Sequence, residues 1–188
     1  MSGSPSTAVS PAALSLKLAL RRLWADHVIW TREYVVAAVA GTPDAGAAAT
    51  RLLKNQEDIG NAVVPVYGAA AGKLLTDLLK QHIMIAVDLI KAAKSGDNAG
   101  FEENDRKWTS NAEEIAGLLS GANPHNWPKA DVLDLLMQHL KLTKGEVVAR
   151  LNGKWDDDVA AFDLIFTEIL TVADVLADGV VKQFPDKF

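Results

Sequence analysis

A short phrase recurs along the chain and limits what it can fold into. Leu78-Leu79-Lys80-Gln81-His82 returns as Leu135-Leu136-Met137-Gln138-His139 with four of five residues unchanged. Leu23-Trp24-Ala25-Asp26-His27 is a looser third copy that keeps the first Leu, a large apolar second residue and the His. The histidines stand 55 and 57 residues apart. A second phrase follows the same beat: Asn55-Gln56-Glu57-Asp58-Ile59-Gly60 matches Asn111-Ala112-Glu113-Glu114-Ile115-Ala116, and Thr171-Val172-Ala173-Asp174-Val175-Leu176 is its third form. Asp58, Glu114 and Asp174 follow their histidines by 31, 32 and 35 residues. The unit reads as helix with His, turn, helix with acid, repeated three times. A period of this size suits helical hairpins stacked on one core.

Apolar spacing of three and four residues supports helices throughout. Leu16, Leu20, Leu23, Trp24, His27, Trp30 and Tyr34 form such a stripe in the first helix. Ser10-Pro11 opens that helix with a capping residue and Pro at the first position, and Gly41 to Asp44 ends it. Further helices are predicted over about 44–66, 72–94, 98–120, 129–151 and 156–181. Pro65 ends or kinks the second, and 121–128 form one clear loop. No stretch alternates with period two. The expected fold is all-α: one bundle domain of about six helices over 11–188, built from three quasi-repeated hairpins, after a disordered tail over 1–10.

Composition narrows the function. A net charge of −5 and pI near 5.3 argue against a nucleic-acid binder. With no cysteine, thiolate nucleophiles, disulfides and Cys-type metal sites are excluded. The first sixteen residues lack the basic start of a secretory signal, and no apolar run nears the ~20 residues of a membrane span. A cytoplasmic protein that binds no membrane is expected. The apolar content also leaves room for a homodimer.

Three histidines and three acids at matching places in one repeat suggest a shared site. An acid on an apolar stripe is costly to bury unpaired, and metal coordination is one pairing. His27, Asp58, His82, Glu114, His139 and Asp174 are therefore the candidate ligands of zinc, or of iron or manganese, in a mononuclear or two-metal site. Asn55 and Asn111, one turn before their acids, would orient them. Asp163 and Glu168 could add ligands. The same residues also suit metal-free His–acid pairs that fix packing in an interaction or stress module, or a hydrolase or oxidoreductase centre. Arg32, five residues from His27, is expected on the surface, and the five tryptophans in the core or at helix junctions. Asp156-Asp157-Asp158 reads as an acidic first turn, and Gly145 as a place of close helix approach.

The phrases Trp24 to Arg32, Asn55 to Gly60, Asn111 to Ala116 and Asp178-Gly179-Val180-Val181-Lys182-Gln183-Phe184 resemble a family of small bacterial proteins whose members often carry the label glycosyltransferase. The resemblance runs from about Leu16 to Phe188. It implies an all-helical bundle with recurring histidines and acids, which fits metal binding. It supplies no reaction, because glycosyltransferases generally use α/β nucleotide-binding folds and this chain has no parallel-strand pattern.

Overall fold

The computed structural model describes residues 9–188. Among them the fold is all-helical, with no strand and five helical elements. These are α1 (Pro11–Ala40), α2 (Ala45–Ser95), α3 (Asn98–Ala122), α4 (Lys129–Leu151) and α5 (Trp155–Gln183). Most of the expected disordered tail, residues 1–8, lies outside the described residues. Its end does not fit that expectation: Ser10 caps α1, its Oγ accepting from the Ala13 amide at 3.0 Å, with Pro11 in the first turn. That amide otherwise has no helical partner.

The second and third helices of the sequence reading are one element of 51 residues. No loop parts them. The break is a single residue, Gly68, at φ 84° and ψ 165°, a region open to glycine alone. Pro65, three residues earlier, removes one amide from the ladder there. The two arms of α2, 45–67 and 69–95, then fold back on each other. Gly60 and Gly72 let them touch backbone to backbone. A methyl at Gly60 would meet the Gly72 carbonyl oxygen at 2.6 Å, and one at Gly72 would meet the Gly60 oxygen at 2.7 Å. α2 also contains an 18-residue window of mean hydropathy 1.3, long and apolar enough by composition to cross a membrane. It contains no unbroken apolar run of that length, because polar and charged residues interrupt the apolar ones.

The helices form a ring in which each packs on its chain neighbours and α5 closes onto α1. Inside are two apolar clusters. The larger holds Leu20, Trp24, Ile59, Trp108, Ile115, Trp127, Leu140, Ile169 and Val172. The smaller holds Tyr34, Val35, Leu52, Ile83, Val87, Ile90 and Val147. The 121–128 connection is tied down as well. Trp127 donates from Nε1 to the Val175 carbonyl at 3.2 Å, and Asn123 donates to the Gly179 carbonyl at 2.9 Å. The tail phenylalanines Phe184 and Phe188 pack on the larger cluster. Gly145 is open, with nothing within 4 Å of where a side chain would begin, so no helix approaches there.

The Gly60–Gly72 contact yields a test. Gly72→Ala drives a methyl into backbone that cannot yield, and should cost about 1–3 kcal/mol or more in urea unfolding. Gly117→Ala, in open space in α3, should be neutral or stabilise by roughly 0.5–1 kcal/mol.

Candidate functional site

The three histidines converge. His27 on α1, His82 on the second arm of α2 and His139 on α4 are 3%, 4% and 5% exposed. All three line one small cavity of about 20 Å³ together with Thr31, Trp108, Thr143 and Val147. That is room for about one water molecule or a bare ion. The cavity also touches Leu89 of the larger apolar cluster and Ile83 and Ile90 of the smaller, so it lies at their seam. The His27 and His139 rings stand 5.6 Å apart between centroids. Trp24 meets His27 edge-on at 5.7 Å, and Trp108 lies against His82 at 5.0 Å.

A buried imidazole needs partners for its nitrogens. Each ring finds one at Nδ1, always 29 residues further on. His27 Nδ1 meets Gln56 Nε2 at 3.2 Å, His82 Nδ1 meets Asn111 Oδ1 at 2.8 Å, and His139 Nδ1 meets Glu168 Oε2 at 3.0 Å. Nε2 takes part in no hydrogen bond among the described residues. The partners are themselves held. Asn111 donates from Nδ2 to the Leu78 carbonyl at 3.1 Å, so its oxygen faces His82. Asn55 donates to the Leu23 carbonyl at 2.9 Å and accepts from Gln56 Nε2 at 3.1 Å. Leu23 and Leu78 each sit four residues before their histidine. Two tasks performed by Asn111 alone are thus divided between Asn55 and Gln56. Five further polar atoms are buried without a partner in this region: Trp24 Nε1, Gln56 Oε1, Trp108 Nε1, Thr143 Oγ1 and Glu168 Oε1.

The acids expected beside these histidines are elsewhere. Asp58 pairs with Lys54 at 2.9 Å near the surface of α2. Glu114 is exposed on α3. Asp174 is held by Arg21 in a two-point bond of 2.7 and 2.8 Å, with Lys17 beside it. Helical phase explains the miss. Counted from the residue that does meet the histidine, Asp58 is two residues on, Glu114 three and Asp174 six. At about 100° per residue these lie roughly 200°, 300° and 240° round the helix. Of the expected orienting residues, Asn111 meets its histidine directly and Asn55 acts through Gln56. Glu168 turns inward with its side chain 9% exposed, while Asp163 is exposed. The sequence did carry a signal for Gln56 and Glu168: the constant interval of 29 to an amide or carboxylate.

Arg32 is also corrected. It is largely buried, 19% exposed at the side chain, and bonds to Glu146 at 2.5 Å and to both oxygens of Asp158 at 3.0 and 3.2 Å. Arg150 completes the group at 3.0 Å from Asp158. Asp158 is therefore more than a first-turn acid. Two cations balance two carboxylates, and α1, α4 and α5 are joined one turn beyond Thr143. Trp24, Trp108 and Trp127 are buried as expected, whereas Trp155 is 57% exposed, beneath the Arg150 guanidinium at 4.8 Å.

Burial keeps two of the imidazoles neutral. It pushes His27 well below the ordinary 6.5, aided by the nearby His139 and His82, and lowers His82 to about 3. Burial also raises Glu146 from 4.5 to about 7 against the pull of Arg32. The effects on stability oppose each other. Below pH 6.5 the unfolded chain protonates both histidines and the folded chain does not, so stability falls on acidification. Glu146 binds its proton more readily in the folded state between pH 4.5 and 7, so its contribution falls as pH rises. Two histidines outweigh one carboxyl. Unfolding free energy should drop as pH falls from 6.5 to 4.5, on the order of 1 kcal/mol per unit, and about twice as steeply below 4.5. Urea titrations across this range check the change of slope. His82→Gln should remove about half of the steep acid limb.

No protein-family model, no curated protein and no solved structure matches this chain, so the site is interpreted from its own chemistry.

Proposed function

We propose that the protein binds a transition-metal ion, zinc foremost, at the three-histidine cavity, with His27, His82 and His139 as ligands through Nε2. The observation that carries this is the common arrangement of the rings: Nδ1 held by a partner 29 residues on, Nε2 unused, all three around a space for one ion. Metal-bound histidines are commonly oriented in this way, their second nitrogen bonded to a carboxylate or carbonyl oxygen. The His139–Glu168 pair is of that type. Neutral imidazoles are the form a metal requires. A nitrogen-rich set suits zinc better than manganese, which prefers oxygen.

Among the described residues no three His, Asp or Glu side chains stand in finished ligand geometry. Loading then involves rotation of the rings about the held Nδ1 contacts. Exposures of 5% or less at all three rings favour a structural, sensing or storage role over hydrolysis or redox turnover, which need an accessible pocket. In this reading the chain is three quasi-repeated hairpins, α1 with the first arm of α2, the second arm with α3, and α4 with α5. Each contributes one histidine and its own partner. Placement in the cytoplasm and a homodimer belong to the same proposal.

A second reading has one specific observation behind it. Gln56 approaches His27 with its amide nitrogen, a donor, as suits a metal-free hydrogen-bonded core. Metal analysis of the purified, untagged chain separates the two. About one equivalent of zinc, lost in His82→Ala and His139→Ala and retained in Asp58→Ala, is expected. Zinc at a hundredfold excess over Kd should then stabilise the native chain by about 3 kcal/mol. Absence of bound metal together with no stabilisation by added zinc, iron or manganese would leave the histidines as packing elements.

A further inference from the structure

The three hydrogen-bonded pairs are not chemically equivalent, and the difference falls on one residue. At His82, the Asn111 amide nitrogen is committed to Leu78, so its oxygen accepts and the imidazole hydrogen sits on Nδ1. At His139, the Glu168 carboxylate can only accept, and again Nδ1 carries a hydrogen. His82 then has a lone pair on Nε2. At His27 the partner is the amide nitrogen of Gln56, which can only donate. His27 Nδ1 must accept, and its hydrogen moves to Nε2.

Gln56 is held in that sense by its own surroundings. Its Nε2 lies 2.8 Å from the Leu52 carbonyl and 3.1 Å from Asn55 Oδ1, both acceptors, so its two hydrogens are shared among these and His27 Nδ1. Reversing the amide would bring its oxygen against those two oxygens. Asn55 cannot reverse to relieve this without losing its bond to the Leu23 carbonyl. The order runs from Leu23 to Asn55 to Gln56 to His27. The present orientation leaves Gln56 Oε1 buried without a partner.

We infer that Gln56 is a positioning residue that sets His27 in the Nε2–H tautomer, so that in the metal-free state His27 presents an N–H where a ligand needs a lone pair and metal binding is opposed until His27 changes tautomer. This rests on the metal reading above. An N–H at the ligating position does not complement a cation. To ligate through Nε2, His27 must shift its hydrogen to Nδ1 and break with the Gln56 amide nitrogen. The Gln56 amide then either reverses, so that Oε1 accepts that hydrogen, or withdraws. The device lowers affinity without blocking the site. It allows the chain to respond to metal concentration where a ready-made trio of lone pairs would stay saturated.

The first test needs no metal. Nitrogen-15 NMR of the metal-free protein distinguishes the tautomers of each imidazole directly. Nε2–H on His27 with Nδ1–H on His82 and His139 is expected; Nδ1–H on His27 would overturn the inference and leave the metal reading intact. The second test uses cobalt(II), whose absorption reports tetrahedral nitrogen ligation, on the wild type, Gln56→Glu and Gln56→Met. Glutamate at 56 accepts from Nδ1–H, as Glu168 does, and methionine removes the donor with little change of volume. Both should bind cobalt at least about tenfold more tightly than wild type, the scale on which partners of a ligating histidine act. Should Gln56→Glu fold poorly beside Leu52 and Asn55, methionine still decides the matter. Equal or weaker binding in the folded variants would overturn the coupling. If no variant and no wild-type sample binds cobalt or zinc, the metal reading falls, while the NMR result alone still decides the His27 tautomer.

Discussion

Three buried imidazoles lie where two apolar clusters meet, and the bundle depends on how their nitrogens are satisfied. A buried polar group without a partner costs about 1–3 kcal/mol. Each ring meets this by reaching across to the next helical segment, at a residue 29 positions later. The bond therefore does more than remove a penalty. It sets the register between two packed segments, because a slip of one residue turns the partner about 100° away from its histidine. Applied three times round the ring, the same constraint aligns α1, both arms of α2, α3, α4 and α5 at one level.

Charge is handled differently a turn further on. There Arg32, Glu146, Asp158 and Arg150 form a compact group of two cations and two carboxylates. Removing one member of such a group strands the others, which is far costlier than losing a surface pair. The acids of the repeated phrase belong to the opposite regime. Asp58 and Asp174 find lysine and arginine partners in contact with solvent. Two of the three histidine partners are neutral amides, which spares the interior two further negative charges. The single exception, Glu168, stands beside His139, the ring nearest to His27.

Much of this was legible in the residues. The apolar spacing, Ser10-Pro11, Gly41, Gly96 and Asn152-Gly153 place nearly every helix boundary, because caps and turns act over a few residues. The repeated Leu-x-x-x-His phrase identified the three buried histidines and separated them from His125, which is exposed in its loop. The partners were harder to see. Aligning Asn55 with Asn111 by their phrases hides the fact that Gln56, one residue on, occupies the position facing His27. A carboxylate is the familiar partner of a histidine, whereas an amide serves a neutral imidazole as well. The separation of the second and third helices was overdrawn for a related reason. Pro65, Gly68 and Gly72 all resemble a loop in sequence, but the reversal is completed at Gly68 alone while helical bonding continues on either side.

The amino-acid sequence by itself determined that the chain is helical, where most of the helices begin and end, and that three histidines recur on their apolar faces. These properties follow from backbone preferences and from periodicities of three and four residues, which are local. Tertiary structure alone decided which residue 29 positions away meets each ring, that the acids of the phrase point outward, and that Arg32 is drawn into a buried charged group. It also decided which hydrogen His27 carries, through a relay from the Leu23 carbonyl by way of Asn55 and Gln56. Those outcomes depend on helix rotation about the bundle axis and on the direction of each amide. Both are set by the neighbour across the interface and not by the neighbour in the chain.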